Sequence, residues 1–288
     1  MANSMLGYGN YVDASAVSHG GWLSSLPVTN LQNRTRGKVA RSVDTDPGNT
    51  RFAIRPPGVH DPVRAISLAN INFSLGAKVR ITGGNKVGVG IQHYDSGWVS
   101  AWGAVYAPNQ LQWEDSNWWG HKYSETERLA GTNWTFTHVL PQKVYAPGDW
   151  QVDVDDPANP DAYVQIGRAL LVTAWQPVVN ISYPTEHGWE NKTVVQEARS
   201  GAEYIYPSPP FRTARVMLDW MSVNEAFGHA FEIQRRSGID QEVLYVYDPA
   251  DTLHASRRSF SGRLRKLSPI EHPMLSANKT VFEVKEQI

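Results

Sequence analysis

The first 176 residues carry short apolar or alternating runs divided by Pro and Gly, with almost no stretch of helical periodicity. Runs that predict strands are 38–42, 51–54, 65–70, 78–82, 87–92, 139–144, 150–154 and 163–172. The last is the most telling. An acidic, Pro-punctuated turn, Asp155-Asp156-Pro157-Ala158-Asn159-Pro160-Asp161, feeds Tyr163-Val164-Gln165-Ile166-Gly167-Arg168 and then an apolar run ending near Trp175. On a strand, Tyr163, Gln165 and Gly167 face one side of the sheet, and Val164, Ile166 and Arg168 the other. Gly83-Gly84 reads as a hairpin turn between two strands. Short strands separated by turn chemistry predict an antiparallel sandwich or jelly roll.

The pattern changes after Trp175-Gln176. Pro177 disfavours helix at the residue before it and marks a junction, which divides the chain into 1–176 and 177–288. Beyond it, strands are expected near 192–198, 202–206, 211–219, 241–247, 256–266 and 279–286. Between the third and fourth of these lies one clear helix, near 222–236. Ser222 is its N-cap and Glu225 the capping-box partner three residues on. Ala226, Ala230 and Ile233 space out a buried face, Phe227 and Phe231 flank it, and Gly238 ends it. The expected fold class is therefore mainly β: a jelly-roll sandwich followed by a β-barrel or sandwich with one packed helix.

Composition narrows the function. The 288 residues have a formal net charge of -1, and a cut after residue 176 leaves 14 basic and 14 acidic residues before it and 13 and 14 after it. No half is a hidden basic module, which argues against nucleic-acid specificity. There is no cysteine, so disulfides, thiolate metal sites and cysteine nucleophiles are excluded. The opening residues show no signal-peptide pattern, and no apolar run approaches the roughly 20 residues that span a bilayer, so synthesis in a cytoplasm without membrane insertion is expected. Six Asn-x-Ser/Thr triplets, at Asn33, Asn72, Asn133, Asn180, Asn191 and Asn278, read as incidental in that setting.

Nine of the eleven tryptophans lie between Trp22 and Trp175, and the densest aromatic and polar segment is 113–123. Trp113, Trp118, Trp119, His121 and Tyr123 are the candidate glycan-binding or interface residues: flat rings stack on sugar C–H faces, and imidazole, amide and carboxylate groups bond hydroxyls. The competing reading has the tryptophans packing on the protein's own core or on a neighbouring chain.

No catalytic set stands against either reading. A glycosidase needs two carboxylates about 5 to 10 Å apart across a cleft, and adjacent Glu114 and Asp115 suit that poorly; Glu186 and Glu190 are the other pair. Asp153, Asp155, Asp156, Asn159 and Asp161 could offer oxygens to calcium, but they lack EF-hand spacing and fit turn capping better. Nine scattered histidines have no zinc spacing, and no nucleophile elbow or phosphate-binding loop is present. No cofactor, metal site or catalytic residue is expected. The basic cluster Arg257, Arg258, Arg263, Arg265 and Lys266 reads as a salt-bridging face.

The 155–172 segment resembles the last strand of the galactose-binding-like (discoidin-type) jelly roll found near the start of some bacteriophage tail-tip proteins. Ala162 stands where that strand often has glycine. The order "strands, one helix, long strands" after residue 177 resembles the tail-tube-like domain of distal tail proteins of long-tailed phages. So do Asp219-Trp220-Met221-Ser222-Val223-Asn224-Glu225-Ala226, Tyr247-Asp248-Pro249-Ala250-Asp251, Arg258-Ser259-Phe260-Ser261-Gly262-Arg263-Leu264, and the early segments 40–42 and 59–75. The resemblance implies a structural virion protein at the distal end of the tail. It would assemble with itself in a ring, as a hexamer or trimer, and bind the tail tube and other tail-tip proteins. The alternative is a carbohydrate-binding module that contacts host-surface glycans.

Overall fold

The computed structural model describes residues 2–57, 61–85, 93–145, 148–274 and 276–288; the expected strand 87–92 lies outside the described residues. Strands of the first half are Met5–Tyr8 (β1), Ala16–Ser18 (β2), Ala40–Arg41 (β3), Phe52–Arg55 (β4), Val63–Ala69 (β5), Lys78–Asn85 (β6), Tyr94–Ser100 (β7), Thr135–Val144 (β8), Asp149–Asp155 (β9), Gln165–Ile166 (β10) and Arg168–Trp175 (β11). The second half adds Ser182–Glu190 (β12), Val194–Glu197 (β13), Glu203–Tyr206 (β14), Phe211–Met221 (β15), Glu242–Val246 (β16), Phe260–Lys266 (β17), Glu271–Met274 (β18) and Ala277–Glu286 (β19). Helices are Glu125–Ala130 (α1), a continuous run through Val223–Glu225, Ala226–Ala230 and Phe231–Ser237 (α2), and the turn Ala255–Arg258 (α3). The molecule is mainly β, and every strand pairing among the described residues is antiparallel.

The first half is a sandwich. One sheet has the order β2-β4-β9-β6-β7, and its inner residues Phe52, Ile54, Val79, Ile81, Trp150 and Val152 pack against Ile66 and Leu68 of β5 and Ala169 and Leu171 of β11. Inner residues alternate along each strand because successive side chains point to opposite faces. Val164, Ile166 and Arg168 are fully buried, as the alternation predicts. β11 is buried along its whole length: Leu170, Val172 and Ala174 enter another core on its opposite face. That double burial explains why its sequence is a continuous apolar run rather than an alternating one.

Gly83-Gly84 is not a hairpin turn. Both residues belong to β6, where Gly83 pairs with Trp150 on β9. A Cβ at Gly83 would lie 2.7 Å from the Trp150 ring, so glycine here makes room for a fully buried indole. Ala162 adopts φ 59, the left-handed conformation that glycine takes without strain.

Helix α2 follows its sequence signals. Ser222 Oγ accepts from the Glu225 backbone N–H at 3.2 Å, and Glu225 Oε2 accepts from the Ser222 N–H at 3.3 Å, closing the capping box. Ala226, Ala230 and Ile233 are fully buried against Val216 and Leu218 of β15 and Phe282 and Val284 of β19. The helix widens to a π-turn at Ala226–Ala230, which the periodicity did not reveal. Phe227 and Phe231 stay half-exposed; their rings are 6.0 Å apart, and Phe227 stacks on His272 of β18 at 5.8 Å. The expected strand 256–266 is also revised. Asp251 Oδ1 accepts from the Leu253 and His254 N–H groups in the turn that precedes α3, and β17 begins only at Phe260.

The two halves meet through β1, which pairs β11 on one side and β16 on the other. The long sheet therefore runs β12-β15-β19-β17-β16-β1-β11-β5-β8 across both. Gly7 permits this: a Cβ there would lie 2.8 Å from Val172 and 3.1 Å from Leu244. We propose 1–176 and 177–288 as the two folding units; the first has a large core of its own, and the large core of the second takes in Leu6 and Trp175 from the first. Met5, Ala65, Leu170, Val172, Ala174, Leu244 and Val246 form the smaller core that they share.

Beside this shared core sits an ion cluster. Arg168, with no exposure, donates through Nε to Glu242 Oε2 at 2.8 Å and through Nη2 to the same oxygen. Its Nη2 also lies 2.6 Å from Asp13 Oδ1, and its Nη1 donates to the Leu31 carbonyl. Arg34 bonds Gln241 nearby, and buried Arg36 reaches Ser261. Removing Glu242 leaves the fully buried Arg168 with the partly exposed Asp13 as its remaining carboxylate, so a dry charge loses its buried counter-charge. Glu242→Gln should therefore cost about 3 kcal/mol in urea denaturation. Arg168→Met with Glu242→Leu should recover most of that loss; a double variant as unstable as the single one would show that the charges themselves are needed.

Candidate functional site

After β7 the chain runs through successive turns to α1, which opens on a capping box between Ser124 and Glu127. This segment places Trp102, Tyr123 and Trp134 together. Trp102 and Trp134 meet edge to face at 5.1 Å, and Tyr123 lies 5.0 Å from Trp134. Both indole N–H groups are used internally: Trp102 donates to the Ser74 carbonyl and Trp134 to the Arg128 carbonyl. The second half approaches from the other side. Arg257 on α3 lies over the Tyr106 ring at 5.3 Å and the Tyr123 ring at 5.7 Å. Trp189 on β12 stands directly opposite Arg212 on β15, with 67% of its surface exposed.

Between these elements lies a cleft of about 300 Å³, walled by Trp134, Tyr123 and Trp189, with Asn133, Ser256, Arg257, Arg212 and Glu286 among its polar lining. A second cavity of about 280 Å³ continues it past Ala101, Gly103, Thr135 and Ser256 toward His138, Asp248 and Asp251. The size and the mix of flat rings with a few polar groups are those of a small-molecule site.

The polar groups differ in how far they are already used. Glu286 takes Arg212 Nε at 2.9 Å and the Arg212 backbone N–H at 2.8 Å, and Arg212 also donates to the Ser259 carbonyl. Asn133 donates to the Gln287 carbonyl and accepts from Arg36. Arg36 itself is pushed down to about 10 by burial, with Glu242 and Glu286 opposing the shift. Ser256 Oγ, in contrast, is buried without a partner. His138 bonds the Tyr94 hydroxyl at 2.6 Å, and burial holds its imidazole below the ordinary value. His187 bonds the Tyr245 hydroxyl at 3.0 Å and is lowered by burial, then by Arg258.

The five residues singled out from the sequence do not converge. Trp113 and Trp119 are 75% and 86% exposed on the outer turns of 101–124. Trp118 is half-buried, edge-on to Trp119 at 4.8 Å and 6.3 Å from His121. His121, at φ 50, uses its carbonyl to accept from the Val105 and Tyr106 N–H groups. Tyr123 alone borders the cleft. The residues that complete the cleft, Asn133, Trp189 and the adjacent Ser256 and Arg257, come from three separate segments and share no spacing that could announce them. Trp189, one of two tryptophans after residue 176, was the one available signal.

The other constellations are engaged elsewhere. Glu186 pairs with Arg215 and Glu190 with Arg265, while Asp115 Oδ2 accepts from the Gln112 N–H. Asp156 accepts from the Ser74 N–H and Oγ and from Asn159, so this acid caps a turn. Among the described residues, no three or more His, Asp or Glu side chains are grouped to hold a metal ion. In the basic cluster, Arg265, Lys266 and Arg258 have carboxylate partners and Arg263 bonds the Ile239 carbonyl.

No family model matches the chain, and no curated protein matches it. Two solved structures from Clostridium perfringens are similar at low level. One is the family 32 carbohydrate-binding module of NanJ in complex with galactose: TM-score 0.39, 9% identity, 59% of this chain and 99% of that one. The other is the first such module of a family 31 glycoside hydrolase: TM-score 0.37, 7% identity, 58% of this chain and 99% of that one. Likeness at this level carries no weight for what this protein binds; its own cleft geometry does.

Stability should depend on pH through the two lowered histidines. A histidine whose folded value is lowered binds its proton more readily in the unfolded chain, so stability is lost as pH falls through the ordinary value of 6.5. The melting temperature should fall from about pH 7.5 to about pH 5, and the slope should be shallower in His138→Gln. An unchanged slope would show that His138 is not the group that titrates.

Proposed function

We propose that the protein is a non-catalytic carbohydrate-binding protein, with the aromatic-walled cleft between its halves as the glycan seat. The observation that carries this reading is the meeting of Trp189, Trp134 and Tyr123 with the unpartnered Ser256 hydroxyl and the exposed Arg257 guanidinium in one cleft of sugar-sized volume. Flat rings bury the apolar face of a pyranose, and the polar groups orient its hydroxyls. The absence of a reacting constellation from the sequence motifs agrees with a binding role. Glycan-array screening followed by calorimetry tests it. Trp189→Ala should weaken the best array hit about tenfold or more with folding intact, since large aromatic rings dominate such contacts. A silent array would overturn the reading; equal loss in Trp118→Ala and Trp119→Ala with none in Trp189→Ala would move the seat to the outer loop.

A second reading, a ring-forming component of a phage distal tail or baseplate, is supported by the sequence resemblance and one structural feature. Hairpin β13–β14 is exposed at all eight strand positions, including Val194, Val195, Tyr204, Ile205 and Tyr206, and strand β12 lies at the edge of the long sheet. Such an apolar ribbon and open edge suit contact with another chain. The two readings are compatible, since a tail protein could also hold a host glycan.

A further inference from the structure

We infer that the cleft selects acidic sugars, hexuronates above neutral hexoses, through the guanidinium of Arg257, an assignment that rests on the glycan reading of the cleft. Most donors and acceptors along the walls are already committed. Glu286, the carboxylate that lines the cleft, is occupied by Arg212 through both side-chain oxygens and by the Arg212 backbone N–H. Arg212 is occupied in turn by Glu286 and by the Ser256 and Ser259 carbonyls. That pair is neutral and offers a ligand little. Asn133 and the indoles of Trp102 and Trp134 are also committed within the protein.

Arg257 is different. Its guanidinium rests on the Tyr106 and Tyr123 rings, and its Nε lies 3.4 Å from the Tyr123 hydroxyl. Among the described residues no carboxylate pairs with it. Glu127, whose charge is felt there, is taken up by the Tyr106 hydroxyl and by the Ser124 N–H and Oγ. The neighbouring Ser256 Oγ is buried without a partner. The Arg257 guanidinium thus lines the cleft beside aromatic walls without a carboxylate partner, while the Glu286 side chain is already paired. A guanidinium fork matches a carboxylate in two parallel hydrogen bonds, which a neutral CH₂OH group cannot supply. Arg257 and Trp189 approach from α3 and β12, so an acidic pyranose can lay one face on the indole with its carboxylate toward the cation.

The test is calorimetry on the full chain with two matched pairs, D-galacturonate against D-galactose and D-glucuronate against D-glucose. Each pair differs at C6. At least one hexuronate should bind about tenfold tighter than its neutral partner, because a hydrogen bond to a charged group adds about that factor. Arg257→Gln should erase the difference within each pair; Arg257→Lys, which keeps charge but not the fork, should retain part of it. High salt should shrink the preference. Equal affinity within both pairs, or a preference that survives Arg257→Gln, would overturn acid selection and leave the glycan seat standing. Binding of none of the four sugars, together with a silent array, would remove both.

Discussion

The buried contact between Arg168 and Glu242 is the constraint on which the arrangement of the two halves depends. Arg168 belongs to the β11 strand of the sandwich, and Glu242 opens β16 beyond the junction; their side chains are 0% and 2% exposed. Neither side chain is open to water, and Glu242 without Arg168, or Arg168 with Asp13 as its one carboxylate, would be costly in so dry a place. A buried ion pair is weak as a source of net stability but strong as a fix on register, because few geometries satisfy both groups. Around it, Gly7 lets β1 slip between Val172 and Leu244, so one sheet passes through both halves.

That junction also makes the cleft. Its walls are contributed by Tyr123, Asn133 and Trp134 from one side and by Trp189, Ser256 and Arg257 from the other. A shift of one half against the other would part the rings and move the cation. The cleft is therefore a consequence of packing between the halves, in the manner of many small-molecule sites, and its chemistry depends on a charge pair that never touches a ligand.

Much of the fold was legible in the sequence. Strands such as β5, β9, β11 and β15 announced themselves because burial on one or both faces leaves a period-2 or continuous apolar record. Helix α2 was legible through Ser222, Glu225 and the Ala226-Ala230-Ile233 face, since capping and close packing impose residue types. What escaped is set by tertiary context. Strand β1 is short and gains its role only from partners far along the chain. Strand β12 is an exposed edge with no buried stripe to read. Gly83-Gly84 imitates a turn because the need for glycine comes from the Trp150 ring across the sheet. The candidate site was the least legible. Tyr123 was found because aromatics cluster locally, whereas Trp189 and Arg257 matter only through the fold. Trp113 and Trp119 stood out by composition but are largely exposed and line neither cavity.

If the two halves jointly build one ligand site, a single binding event must be felt on both sides of the junction. A backbone-amide NMR titration of the full chain with the glycan that binds best reads this directly. Shifts should cluster at Asn133 and Trp134 from one half and at Trp189, Ser256 and Arg257 from the other, saturating with a single dissociation constant. Shifts confined to the outer segment 113–121, or to one half alone, would contradict a shared site.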